Sequence, residues 1–371
     1  MSFVPGIGAV GWPIVDRSPS AELGSLFFTI HTFRMTLFFA VAGYFAHMLF
    51  HQQGAKGFWA NRAKRLLAPL LVFWPVVLAA IVAAMYLASV KSGIKLMAPK
   101  PPPGTVLPFP LTHLWFLYVL LGLYALLLTV RSLLLALPVQ GRGLPMLVDA
   151  VVARICALPM APAVLALPVA LALYGHPHWH AWAGIPTPDN SLLPNAPALV
   201  AFWVALSFGW LLRRQPQCLD LLSRHALLHA LAALGFTSAC MAMVGSTMSS
   251  AELSGWRRTG YALGYGVAGW CWTVAIIGAA QRFLSRPAPW RRYLADASYW
   301  IYLVHLPLVF GLQAEAQDWP LPWVLKFPLV LAIAMLLLLL SYHVLVRSTW
   351  VGAWLNGRRY VSQGGIRQGG A

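Results

Sequence analysis

Long apolar runs separated by short basic, polar or proline-rich stretches fill this chain from about residue 24 onward. A helix needs about 20 mostly apolar residues to cross a bilayer. Nine stretches reach or approach that length, at 24–50, 66–90, 113–136, 158–174, 197–212, 226–246, 259–283, 298–314 and 325–346. The fourth contains Pro159, Pro162 and Pro168 and the fifth opens at Pro197, so both are short. The pattern predicts an all-α fold, a polytopic transmembrane helix bundle of about nine spans. Its expected parts are an outer N-terminal segment (1–22), the bundle (23–350) and a cytoplasmic tail (351–371).

Composition agrees. With 60% hydrophobic and 9% charged residues and a mean hydropathy of +0.70, the chain lies far from soluble domains, where about a quarter of residues are charged. Disorder is excluded by the high hydrophobicity, and a disulfide scaffold by only four cysteines, none in a CxxC pair. Cys156, Cys218, Cys240 and Cys271 read as packing residues.

A net charge of +17 would suggest nucleic acid in a soluble protein. Here the cations fall in alternate loops, 18 on one face from Lys56 to Arg367 against 6 on the other. That is the positive-inside pattern, which places the C-terminus in the cytoplasm and leaves the bilayer, not nucleic acid, as the partner. An odd span count then puts the N-terminus outside, yet residues 1–22 contain no signal peptide.

Two outer loops carry distinctive residues. Residues 99–110, PKPPPGTVLPFP, favour polyproline II, a stiff connector. Residues 175–195 cluster His176, His178 and His180 with Trp179 and Trp182. No carboxylate or thiolate spacing accompanies them, so a metal is not predicted. Interfacial tryptophan anchoring is the first expectation and an aromatic rim for a sugar the second.

Ionisable groups inside a membrane are costly and default to functional candidates. His31 and Arg34 fall one helical turn apart in the first stretch, either as a helix–helix polar contact or as the lining of a site. Arg62 and Arg65 stand with Lys56 and Lys64 just after it. They suit a membrane anchor, or a paired guanidinium grip on a diphosphate. His113, Trp115 and Tyr118 open the third stretch at its outer end, and an aromatic belt explains the last two but not the histidine. His305 lies in the eighth stretch two residues before Pro307, which frees a backbone carbonyl that a neutral imidazole could bind.

The blocks HTFRMTLFFAVAGYFAHMLF, KGFWANRAKRLLAPLL, THLWFLYVLLGLYAL and DASYWIYLVHLPLV resemble those of acyltransferase family 3, the integral membrane acyltransferases, and within it the glucan-biosynthesis branch. The resemblance covers most of the chain in order and spacing. It implies a ten-helix bacterial inner-membrane enzyme that takes an acetyl or succinyl group from cytoplasmic acyl-CoA. The acceptor it implies is a hydroxyl of a saccharide or glycan, with periplasmic glucan a candidate. Arg62 and Arg65 would meet the coenzyme A phosphates, and His31, Arg34, His113 and His305 would line the central cavity. No metal is implied.

One family feature is missing. The first helix of the family carries a basic residue followed by the histidine regarded as the catalytic base, whereas MSFVPGIGAVGWPIVD resembles the loop after that helix. The expectation is that this histidine is encoded just upstream of Met1; the alternative is a truncated remnant. A glycan or lipid transporter and a non-catalytic assembly partner are the competing functions. Few acidic residues stand in the spans to couple transport to protons or ions.

Overall fold

Each of the nine apolar stretches is occupied by a helix. The computed structural model describes residues 1–10, 12, 14–92, 105–136, 143–177, 179–248 and 253–357, and among these there is no strand. The helices are α1 (Ala21–Arg62), α2 (Ala68–Ser92), α3 (Trp115–Ala136), α4 (Gly143–Ala157), α5 (Ala161–Tyr174) and α6 (Ala196–Arg214). There follow α7 (Gln217–Arg224), α8 (Ala226–Val244), α9 (Gly255–Leu284), α10 (Pro289–Ala316), α11 (Trp323–Ser341) and α12 (Trp350–Asn356). Local chemistry sets several ends. The Ser20 hydroxyl accepts from Leu23 N at 3.0 Å to cap α1, and Asn195 accepts from Ala198 N at 2.9 Å to cap α6, two residues before Pro197.

Among the described residues, six helical stretches are long and apolar enough to cross a membrane, or seven if the pair Pro145–Ala157 and Ala161–Tyr174, bent by 109°, is one span. The first of them, Ala21–Val90, has 70 residues, about 105 Å at 1.5 Å per residue, and is therefore two crossings. Its break is at Gly54, whose φ of 65° lies outside helix, and a π-helical turn follows at Ala63–Leu67. Helix α10 falls below the apolar standard because one side of it carries Tyr299, Tyr302, His305 and Gln313. Counting Ala21–Val90 twice, the bent pair once and α10 once recovers the nine expected crossings.

The helices pack as two groups. In one, α1 lies against α6 and α9, and α9 also holds α5 and α8; in the other, α2 and α11 flank α10. The α1–α6 crossing is close because Gly43 faces the Leu206 carbonyl and Gly209 faces the Ala40 carbonyl, where a Cβ on either glycine would clash. Helix α3 and the π-helical turn bridge the groups.

The N-terminal segment is more than the short outer stretch the sequence suggested. It is folded against the helices, with Phe3, Val4, Ile7 and Ile14 buried. Met248 N donates to Pro5 O at 2.8 Å on one side, while on the other Trp323 N donates to Ser18 Oγ at 3.0 Å and Trp12 stacks 4.7 Å from Phe310. Lys326, expected as an outer-loop cation, is instead fully buried and paired with Asp16, Nζ to Oδ1 3.0 Å. The segment thus ties the two helix groups together. At the opposite end α12 docks through Gly352 and Leu355.

Candidate functional site

The site is built on a three-residue repeat in α10. Tyr299, Tyr302 and His305 recur at i, i+3 and i+6, so their side chains follow one side of the helix. Tyr299 and Tyr302 stack at 6.4 Å, and Tyr302 lies 6.3 Å from His305.

His113 meets this row from the start of α3. The stretch Thr112–Ala136 opens beside this residue, as the sequence suggested, and the ring packs inward against α10. Trp74 Nε1 donates to Pro110 O at 2.8 Å, and His113 contacts the backbone of Tyr302, about 20 Å into α10. The chain before α3 therefore dips into the bundle, and His113 reaches the middle of α10. Trp115 is buried and stacked 5.5 Å from Phe202, not set in an interfacial belt.

Proline chemistry explains where His113 docks. Pro307 has no N–H, so the carbonyl of Leu303 loses its usual helical donor. His113 Nε2 supplies a donor there, at 3.3 Å from Leu303 O and 3.0 Å from Tyr302 O, and Tyr302 Oη donates back to His113 O at 2.9 Å. His305 Nδ1 also meets Tyr302 O, at 2.8 Å. The expectation that His305 binds the freed carbonyl is corrected: His305 meets Tyr302 O, and it is His113 that reaches the freed Leu303 O.

These contacts fix the tautomers. Carbonyl oxygens only accept, so His113 carries its proton on Nε2 and His305 on Nδ1. The remaining lone pairs are on His113 Nδ1, which is buried without a partner, and on His305 Nε2. The two rings are 4.9 Å apart. A strained residue precedes the first of them: Thr112 has φ 54°, and its buried Oγ1 has no partner.

Helix α1 brings the cation. Arg34 lies within charge–charge range of His305 and of Tyr265, and no carboxylate pairs with it among the described residues. His31 stands one turn outward, stacked 5.5 Å from Phe27 with Nδ1 buried and unpartnered. Of the four cavity candidates, the structure brings His113 and His305 together, while Arg34 lies within charge–charge range of His31 and His305.

Arg62 and Arg65 straddle the start of the π-helical turn. Arg65 Nη1 donates to Leu355 O at 2.8 Å and its own carbonyl accepts from Tyr299 Oη at 2.6 Å, so it links α12 to α10. The Arg62 guanidinium lies 5.1 Å from the Phe58 ring and 5.3 Å from the Tyr124 ring, with Nε buried and unpartnered. The pair faces the bundle rather than a free loop.

The loop at 175–195 departs from both readings of its aromatics. Trp179 and Trp182 are buried, donating to Gly184 O at 2.7 Å and Gly245 O at 3.1 Å, so they pack the cap and do not anchor in lipid. His178 and residues 99–104 of the proline-rich stretch lie outside the described residues. Both ring nitrogens of His180 are buried without partners, and burial lowers its pKa while raising that of Asp189. No group of three His, Cys, Asp or Glu residues that could hold a metal occurs among the described residues.

Sequence reasoning missed Tyr299, Tyr302 and the Thr112 bend. The Tyr-x-x-Tyr-x-x-His spacing was visible as a polar row on an apolar helix, whereas the φ of Thr112 left no mark in the sequence.

The acyltransferase domain family profile matches residues 6–343 of the chain. Glucans biosynthesis protein C of Escherichia coli (strain SMS-3-5 / SECEC) is 32% identical over 110 residues, covering 29% of this chain and 29% of that protein. The protein of the same name from Salmonella heidelberg (strain SL476) is 31% identical over 110 residues with the same coverage. The chain therefore aligns with less than a third of the length of these curated relatives. No solved structure is significantly similar to it.

Proposed function

We propose that this chain, which belongs to acyltransferase family 3, transfers an acyl group from acyl-CoA to a hydroxyl of a saccharide across a bacterial inner membrane. The names of the curated relatives favour a glucan as acceptor. The donor is a substrate, and no metal takes part in this reading.

One observation carries the proposal. Arg34 has no carboxylate partner among the described residues and lies within charge–charge range of His305, one of two imidazoles whose N–H groups meet the Tyr302 carbonyl. A half-buried cation without an anion suits a charge that appears only during reaction. In this mechanism the acceptor oxygen attacks the thioester carbonyl carbon while its proton passes to His305 Nε2. Arg34 stabilises the oxyanion of the tetrahedral intermediate. The C–S bond then breaks, and the imidazolium returns the proton to the departing sulfur. His113 holds the α10 carbonyl that orients His305, and Arg65 braces the donor end of the same helix.

The experiment is to incubate membranes containing the chain with acyl-labelled coenzyme A and a glucan acceptor. Label recovered in the saccharide is the expected result. Its absence with both acetyl and succinyl donors counts against the reading.

A further inference from the structure

The end of the bundle where the loop cations gather carries a shallow, open hollow of about 750 Å³, lined by a single stretch of chain, that the acyl-transfer chemistry above does not use. It is formed where α9 gives way to α10, between Leu284 and Ala295, and Arg286, Arg291 and Arg292 line it. No acidic residue lines it. Asp296, which meets Arg292 at 3.6 Å, belongs to a neighbouring hollow of about 220 Å³.

Arg291 is the informative residue. Its guanidinium rests 5.5 Å from the Trp290 ring, and its Nε and Nη1 are buried with no hydrogen-bond partner. Positive-inside topology accounts for cations in this loop, but not for guanidinium N–H groups withdrawn from water and left unbonded. Such a fork matches phosphate oxygens. Arg65, by contrast, spends an N–H on Leu355 O.

We propose that this hollow is a phosphate-binding site, in which Arg286, Arg291 and Arg292 hold the phosphate end of the acyl carrier. The choice of carrier over lipid as the source of the phosphate rests on the function proposed above. Helix α10 joins the two sites: Arg291 precedes His305 by 14 residues, about 21 Å of helix. A carrier held at its phosphates would extend its acyl arm along the tyrosine row toward the histidines.

The test is calorimetric binding of adenosine 3′,5′-bisphosphate to the full chain in phosphatidylcholine nanodiscs. In Arg286→Gln/Arg291→Gln the dissociation constant should rise at least about tenfold, the scale of one or more lost charged hydrogen bonds. Arg224→Gln, which removes a cation outside the hollow, should change it less than about twofold. Equal weakening in both variants overturns the site. So does weakening confined to Arg62→Gln/Arg65→Gln, or no binding by the unsubstituted chain. Displacement of the bisphosphate by added phosphatidylglycerol, in the unsubstituted chain alone, would keep the phosphate site but overturn the carrier as its source. Binding that depends on these arginines without label transfer would instead sink the acyltransfer reading and leave the site standing.

Discussion

Two cations within helices, half-buried Arg34 and fully buried Lys326, show how context decides what a charge inside a membrane protein does. Lys326 is neutralised on the spot by Asp16 and also donates to Gln317 O at 3.3 Å, so its role is to fasten the N-terminal segment to α11. Removing one partner leaves the other charge buried and alone, which costs about 3–5 kcal/mol. Lys326→Met should therefore lower stability by that amount in thermal unfolding, and Asp16→Asn with Lys326→Met should recover most of it. An additive double variant would show that the two side chains do not act as a pair. Arg34 has no such neutraliser among the described residues, which is why it is assigned to the reaction rather than to the fold. From the sequence both were simply lysine or arginine near apolar residues. Arg34 stood out because it is deep in its stretch, while Lys326 passed as a loop charge because it sits close to the outer boundary.

At the scale of the element, helices are placed by what their backbones permit. Gly43 and Gly209 let α1 and α6 approach until each glycine faces a carbonyl of the other helix. Gly43→Leu should force the pair apart and cost at least about 1–3 kcal/mol, the usual penalty of overpacking, measurable as a lowered unfolding temperature. An unchanged transition would mean that the crossing is looser than described. Thr112 offers the opposite experiment. Its φ of 54° is unfavourable for a β-branched residue, so Thr112→Gly should stabilise the fold by about 1–3 kcal/mol, and a loss of stability would show that the strain is absent. All nine apolar runs were legible as helices because lipid demands long apolar segments. The extra helices α4, α7 and α12 were not, since amphipathic pieces of 15, 8 and 7 residues carry no comparable length signal.

Across the whole molecule, two helix groups meet at a polar seam and are fastened at both ends, by the N-terminal segment on one side and α12 with Arg65 on the other. The candidate site lies in that seam: His113 comes from the bridging α3 side, His305 from one group and Arg34 from the other. The separate residues were readable in the sequence, but their convergence was not, because it depends on the dip before α3 and on the carbonyl that Pro307 releases. The central claim is that this convergence moves the acceptor proton. Single-turnover acyl transfer by the chain and by His305→Ala, at saturating labelled donor, tests it most directly. The account predicts a rate lower by at least about 100-fold, the lower range for a general base, with donor affinity unchanged; a rate within a few-fold of the unsubstituted chain would contradict it.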